Sequence, residues 1–224
     1  AMTANSPATI NVEAQDSITS ATLKASDAAG NFSISIQNVF LGTTGEDSTL
    51  IGTANSDFIY GFGSADTITG KEGADVVSGG AGANTFVFAA GDNGTAPSDT
   101  VCDTISDFRT GTNNLIDFGA TALAIANQVG AAGAGVATIA ATGIVTFNAA
   151  DTTLAQHIVA VAAAIGAGPA TGEFAIWQEG ADAYLFISDA AEGVTANDVL
   201  VKLTGVTIGA GGVSVAVGDI SAIA

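Results

Sequence analysis

A nine-residue beat runs through the first half of this chain: GTTGEDSTL (42–50), GTANSDFIY (52–60), GFGSADTIT (61–69), GKEGADVVS (70–78) and GGAGANTFV (79–87). Each stretch opens on glycine, and its sixth place holds Asp47, Asp57, Asp66, Asp75 and finally Asn84. The spacings between those residues are 10, 9, 9 and 9, so a single insertion interrupts the period. The eighth place is apolar in four of the five: Ile59, Ile68, Val77 and Phe86. Glycine-rich turns followed by a minimal x-U-x strand predict a coil of two nonapeptides, with one inward side chain per strand. Repeat n then stacks on repeat n+2, and the expected architecture is a parallel β-roll.

That stacking brings sixth-place side chains of successive coils together: Asp47 with Asp66, Asp57 with Asp75, Asp66 with Asn84. Facing carboxylates repel, and strands this short bury little, so the pattern calls for a cation. Calcium takes six to eight oxygens, which paired carboxylates and turn carbonyls supply. Glycine lets the backbone turn tightly and approach an ion. The candidate ligands are therefore Asp47, Asp57, Asp66, Asp75 and Asn84, with Gly61, Gly63, Gly70, Glu72, Gly79 and Ala81 in the turns. Roughly two to four calcium ions are expected from the facing pairs. Such a roll folds with its metal.

Composition agrees. Four Lys and Arg oppose 22 Asp and Glu, a net charge of −18. Nucleic acid is excluded as a partner, because phosphate binding needs clustered positive charge. Self-repulsion instead disfavours the compact state until cations neutralise part of it. A single cysteine, Cys102, excludes an intramolecular disulfide and reads as structural rather than reactive. Residues 118–150 carry no charge, but Asn127, Gln128 and Asn148 and the Ala/Gly/Thr composition argue against a membrane span. No basic region followed by an apolar run marks an N-terminal signal peptide, and Ala1-Met2 reads as a cloning remnant.

The expected organisation has three parts: a β-rich flank (1–41), the roll with capping strands (42–118), and a β-rich or α+β unit (119–224). The flank alternates through Phe32, Ile34 and Ile36 after a turn at 28–31. In DTISDFRTGTNNLIDF (103–118), Asp103, Asp107 and Asp117 either close a further ion site or serve as ordinary turn and strand-edge acids. Residues 151–166 predict a helix with Asp151 as N-cap and a stripe of Leu154, Ile158, Val161 and Ile165. GEFAIWQEG and DAYLFISD predict a hairpin, and VLVKLTGV (199–206) another strand.

Catalytic constellations are scarce. His157, the single histidine, sits beside the helix stripe and reads as a packed residue. No G-x-S-x-G, H-E-x-x-H or P-loop accompanies it, so no enzyme is expected. Trp177 reads as core or packing face, with a carbohydrate platform as the other option.

The repeats, followed by GGAGANTFVF and DTISDF…NLIDF, resemble the C-terminal part of RTX (hemolysin-type calcium-binding repeat) proteins exported by type I secretion. FAIWQEGADAYLFISD…DVLVKLTGVT is similar to the terminal region of calcium-dependent bacterial S-layer and related surface proteins. The resemblance implies an uncleaved C-terminal export signal, and Asp219-Ile220-Ser221-Ala222-Ile223-Ala224 fits that description. It also implies a type I transporter as partner, a secreted, cell-surface location, and assembly with copies of itself as an oligomer or lattice. The alternative it leaves open is a secretion and folding module of an exoenzyme or toxin whose activity lies upstream. Asn84 and the irregular first repeat depart from the family pattern.

Overall fold

The computed structural model describes residues 18–24, 33–108, 113–119, 122–126, 133–166, 172–216 and 219–223. The turn expected at 28–31, Ala1-Met2, Asn127 and Gln128, the polar turn at 109–112 and Ala224 lie outside the described residues. In chain order the strands are β1 (Ile18–Lys24), β2 (Ser33–Leu41), β3 (Thr49–Ile51), β4 (Asp57–Tyr60), β5 (Thr67–Thr69), β6 (Val76–Ser78), β7 (Thr85–Val87), β8 (Asp103–Ile105) and β9 (Leu115–Asp117). They continue as β10 (Ala124–Ile125), β11 (Thr138–Ile139), β12 (Val145–Thr146), then helix α1 (Leu154–Ile165), β13 (Glu173–Glu179), β14 (Asp182–Ile187), β15 (Val199–Leu203), β16 (Val213–Ala216) and β17 (Asp219–Ile223).

The nonapeptide beat becomes a parallel β-roll. Phe58 pairs with Val76 and Leu50 with Ile68, each 18 residues on, so one coil is two repeats. Strands alternate between the two faces: β2-β4-β6-β8 on one, β3-β5-β7-β9 on the other. Each strand turns its middle or U-place residue inward. Leu50, Ile68, Phe86 and Ile116 fill one face of the core, Ile59, Val77 and Ile105 the other. With so few side chains per strand, the interior is one residue deep.

The first repeat runs in a different phase from the one its sequence suggests. Leu50, not Thr49, is its inward residue, and Thr49 pairs with Thr67. The insertion therefore sits in the turn between Gly42 and Ser48, and the strand register is unbroken. The last coil is wider, because Val77 pairs with Ile105 and Phe86 with Ile116, 28 and 30 residues on rather than 18.

Beyond the repeats both faces continue. One becomes a nine-stranded sheet ordered β1-β2-β4-β6-β8-β15-β14-β13-β10, joined by the parallel β8–β15 pair. The other becomes a six-stranded sheet ordered β16-β17-β9-β7-β5-β3. The predicted hairpin is present, with Trp177 opposite Tyr184 and the reversal at Gly180-Ala181. Its strands and β15 are apolar on both faces: Ile176, Leu185 and Val201 face the core shared with the roll, and Trp177, Tyr184 and Leu200 face the helix. Burial on both sides explains why these runs read as nearly continuous hydrophobic stretches.

Helix α1 covers the outer face with Ile158, Val161 and Ile165 buried and Leu154 packed at the edge. Its N-cap is Thr153, not Asp151. Thr153 and Gln156 form a reciprocal capping box, which outcompetes a lone aspartate two residues earlier. Asp151 instead accepts from the Gly135 amide at 3.1 Å.

Candidate metal centre

The sixth-place side chains form two ladders along the roll, each rung a backbone amide donating to the next coil. On one side the Asp57 amide donates to Asp75 Oδ1 at 2.8 Å, and the Asp75 amide to Asp103 Oδ1 at 2.9 Å. On the other, Ser48 donates to Asp66 Oδ1 (2.8 Å), Asp66 to Asn84 Oδ1 (2.9 Å) and Asn84 to Asn114 Oδ1 (2.8 Å). The Asp57–Asp75 and Asp66–Asn84 pairings are those expected from the sequence. Asp47 is not opposite Asp66. The turn insertion moves it outward, where it accepts from the Ala65 amide, and Ser48 takes the sixth place.

One oxygen of each rung is thus used by the backbone. On Asp66 and Asp75 the other is left over. Asp66 Oδ2, Asp75 Oδ2 and Asn84 Nδ2 are buried with no hydrogen-bond partner. Asp57 differs, since its Oδ2 accepts from the amide of Thr53 at 2.6 Å and from its hydroxyl at 3.0 Å. The orphan oxygens sit in cradles that the first-place glycines keep open. A Cβ on Gly70 would collide with Asp75 Oδ2, and one on Gly61 with both Asp66 Oδ2 and the Gly79 carbonyl oxygen. Beside Gly61, then, an unpartnered carboxylate oxygen and a carbonyl oxygen lie close together. Oxygens so placed match the donor set of a hard cation.

Electrostatics point the same way. Burial pushes Asp75 up to about 7, and the negative charges of Asp57 and Asp92 add to the effect. Asp66 is raised by burial, against the Ser48 amide, with Asp47 adding to the rise. Asp103 is raised well above the ordinary carboxylate range, again by burial first. Among the described residues no three acidic, histidine or cysteine side chains converge on one point. Turn carbonyls must therefore complete any ion's shell. The turns are bent for that: Phe62, Ser64 and Lys71 hold φ values of 72°, 74° and 69°, a left-handed conformation that disfavours side chains.

The remaining turn candidates lie in the turns between the stacked strands. The Gly63 amide donates to the Gly61 carbonyl at 3.2 Å, the Ala81 amide to Phe62 O at 2.9 Å, and exposed Glu72 lies beside Gly94. Asp103, Asp107 and Asp117 do not meet in one place. Asp103 extends the Asp57–Asp75 ladder, while Asp107 accepts from Ser78 Oγ and the amides of Gly79 and Gly80. Asp117 lies near Asp219, whose charge helps raise it after burial. Ser48 and Asn114 are ladder members that the repeat count missed. Asn114-Leu115-Ile116 and Asp103-Thr104-Ile105 carry the same D/N-x-U signature, hidden by the irregular spacing of the loops before them.

The other singled-out residues are packed. His157 is clamped, its Nδ1 2.8 Å from Glu179 Oε2 and Nε2 2.8 Å from the Asp151 carbonyl, with its ring on Phe147. Trp177 is 1% exposed between Phe147 and Tyr184, so it offers no carbohydrate platform. Cys102 is half-buried before β8, and burial pushes its thiol up to about 11. No helix among the described residues is long and apolar enough to cross a membrane.

The pattern of one known family, the RTX calcium-binding nonapeptide repeat (four copies), matches residues 41–76 and 60–94. RTX nonapeptide repeats are calcium-binding motifs, and calcium is the cofactor of this roll. No curated protein matches the chain. Among solved structures it is similar to the solution structure of the AlgE6R3 subunit from the Azotobacter vinelandii mannuronan C5-epimerase, at 21% identity over 71% of this chain and 75% of that one. The TM-score of that match is 0.18, and the likeness carries no argument.

Proposed function

From a chain that carries RTX calcium-binding repeats in its roll, we propose a calcium-dependent structural module of an exported bacterial surface protein of S-layer or adhesin type. It folds, and assembles with copies of itself, once it meets calcium outside the cell. The observation that carries the reading is the pair of buried, unpartnered carboxylate oxygens on Asp66 and Asp75, each in a cradle that only glycine leaves open. Asp57, Asp66, Asp75 and Asp103, with the carbonyls of the turns at 61–64, 70–73 and 79–82, would hold the ions. Bound calcium supplies the positive charge that these oxygens lack. Sites of extracellular type, with dissociation constants of roughly 10⁻⁴–10⁻³ M, stay empty in the cytosol. At about ten times the dissociation constant each filled site adds about 1.4 kcal/mol.

Export follows from the same dependence. In the folded chain Asp219–Ile223 is a strand with Ile220 and Ile223 buried, so a type I transporter reads that segment only while the chain is unfolded. Assembly is supported by large apolar groups exposed on the roll: Ile51 and Phe62 are each 49% exposed, and among the described residues β3 lies at the edge of its sheet. The test is molar mass by light scattering on a sizing column, in chelator and in millimolar calcium. Expanded monomer in chelator and compact, reversible assemblies in calcium are the expected result. A compact monomer in calcium removes the surface-layer role and leaves a secretion and folding module. A chain already compact in chelator refutes the calcium dependence.

A further inference from the structure

The loop between β7 and β8 holds Asn93-Gly94, the single Asn-Gly step in the chain. The fold uses both residues. Gly94 has a φ of 72°, a left-handed conformation that disfavours side chains. Asn93, 2% exposed, engages its whole carboxamide. The Leu200 amide donates to its Oδ1 at 2.8 Å, and its Nδ2 donates to the Leu200 carbonyl at 3.4 Å and to Asp103 Oδ2 at 3.3 Å. The side chain thus pairs with β15 as a short strand would, where β15 joins the roll through β8.

The same two residues are a reactive pair. In an open chain the backbone nitrogen of an Asn-Gly step reaches the side-chain carbonyl carbon of the asparagine, because glycine has no Cβ to obstruct ring closure. In the fold it does not. Three hydrogen bonds turn the carboxamide toward β15 and Asp103, and the Gly94 amide donates to the Gly91 carbonyl at 2.7 Å. Nucleophile and electrophile are each held by other partners, away from the alignment that bond formation requires.

We propose that Asn93-Gly94 is a site of spontaneous deamidation, closed by folding and opened by unfolding. The Gly94 nitrogen loses its proton and bonds to Asn93 Cγ; the Cγ–Nδ2 bond breaks, and the amide nitrogen takes up a proton and leaves as ammonia. Water then opens the cyclic imide at either carbonyl, leaving an aspartyl or isoaspartyl residue at position 93. The new carboxylate accepts hydrogen bonds but donates none. The Leu200 carbonyl and Asp103 Oδ2 therefore lose their donor. A negative charge is also added beside Asp103, itself 1% exposed. A buried charge without a partner is strongly destabilising, so the modified chain docks its C-terminal sheet poorly. Resting on the calcium reading above, a chain that waits without calcium irreversibly loses the contact that completes its fold.

The test holds the whole chain at mildly alkaline pH in calcium chloride, in chelator and in urea. Peptide mass mapping follows position 93 through the mass gained when the side-chain amide becomes an acid. Conversion is expected in urea and in chelator, and roughly tenfold or more slower in calcium. No conversion in urea overturns the site. Equal rates in urea and calcium overturn its protection by the fold. Conversion in urea with equal protection in chelator and calcium upholds the site and refutes the calcium dependence of folding instead. Asn93→Asp supplies the product directly. In calcium its Leu200 amide should exchange roughly tenfold or more faster than in the wild type, or the chain should fail to fold. Unchanged exchange at Leu200 overturns the structural consequence.

Discussion

Asp75→Asn should make the calcium-free chain more stable and the calcium response weaker. The wild-type carboxylate is buried, lifted from 3.8 to about 7, and has one oxygen unpartnered. At pH 7.5 that displacement corresponds to a destabilisation of at most about 4 kcal/mol, trimmed by solvent screening to roughly 2–4 kcal/mol. Asparagine keeps the oxygen that accepts the Asp57 amide and removes the charge. It leaves an unmade donor, as Asn84 already does, at about 1–2 kcal/mol. The net gain is about 1–2 kcal/mol, which for a urea slope of about 2 kcal/mol/M moves the midpoint up by roughly 0.5–1 M. With calcium at about ten times its dissociation constant, the variant forfeits about 1.4 kcal/mol for each ion that depends on Asp75. Urea unfolding followed by circular dichroism, with and without calcium, reads both changes. A calcium-free midpoint that falls would refute the reasoning, since the ladder hydrogen bond would then outweigh the buried charge.

The same carboxylates set a pH dependence. Asp66, Asp75 and Asp103 are raised in the folded state, so the fold holds more protons than the unfolded chain. The contribution of Asp75 is full below about 3.8 and is lost as pH rises through about 7, and those of Asp66 and Asp103 are lost as pH rises through their own raised values, so calcium-free urea midpoints should fall from pH 4.5 to 8. Saturating calcium should flatten that slope, apart from the share of Asp198, raised to about 6 outside the roll. Gly70→Ala should remove an ion and destabilise the calcium-loaded fold by about 2 kcal/mol or more, because its Cβ occupies the space of Asp75 Oδ2; calorimetric titration checks the count. Asp47→Ala should leave the ion count unchanged and stability within about 0.5 kcal/mol, whereas an ion lost there would restore the pairing with Asp66 that the register rejects. His157→Ala should destabilise by about 2–3 kcal/mol through its two contacts and the Phe147 stack, with calcium stoichiometry intact by equilibrium dialysis.

The repeats, the stacking of n on n+2, the ion and the inward residues Ile59, Ile68, Val77 and Phe86 were legible without coordinates, because each is a local period. The helix and the hairpin were legible for the same reason. Phase within the first repeat was not. A ten-residue spacing says that a residue was inserted but not where, and only the pairing of Leu50 with Ile68 puts Ser48 rather than Asp47 on the ladder. Asp103 and Asn114 join the ladders 28 and 30 residues after their partners, across loops whose length no short period encodes. The hydrogen bond from the Leu200 amide to Asn93 Oδ1, 107 residues apart in the chain, carries no sequence signature at all. A repeat specifies its own coil through neighbours a fixed distance away. What closes the coil is decided by packing between segments far apart in the chain.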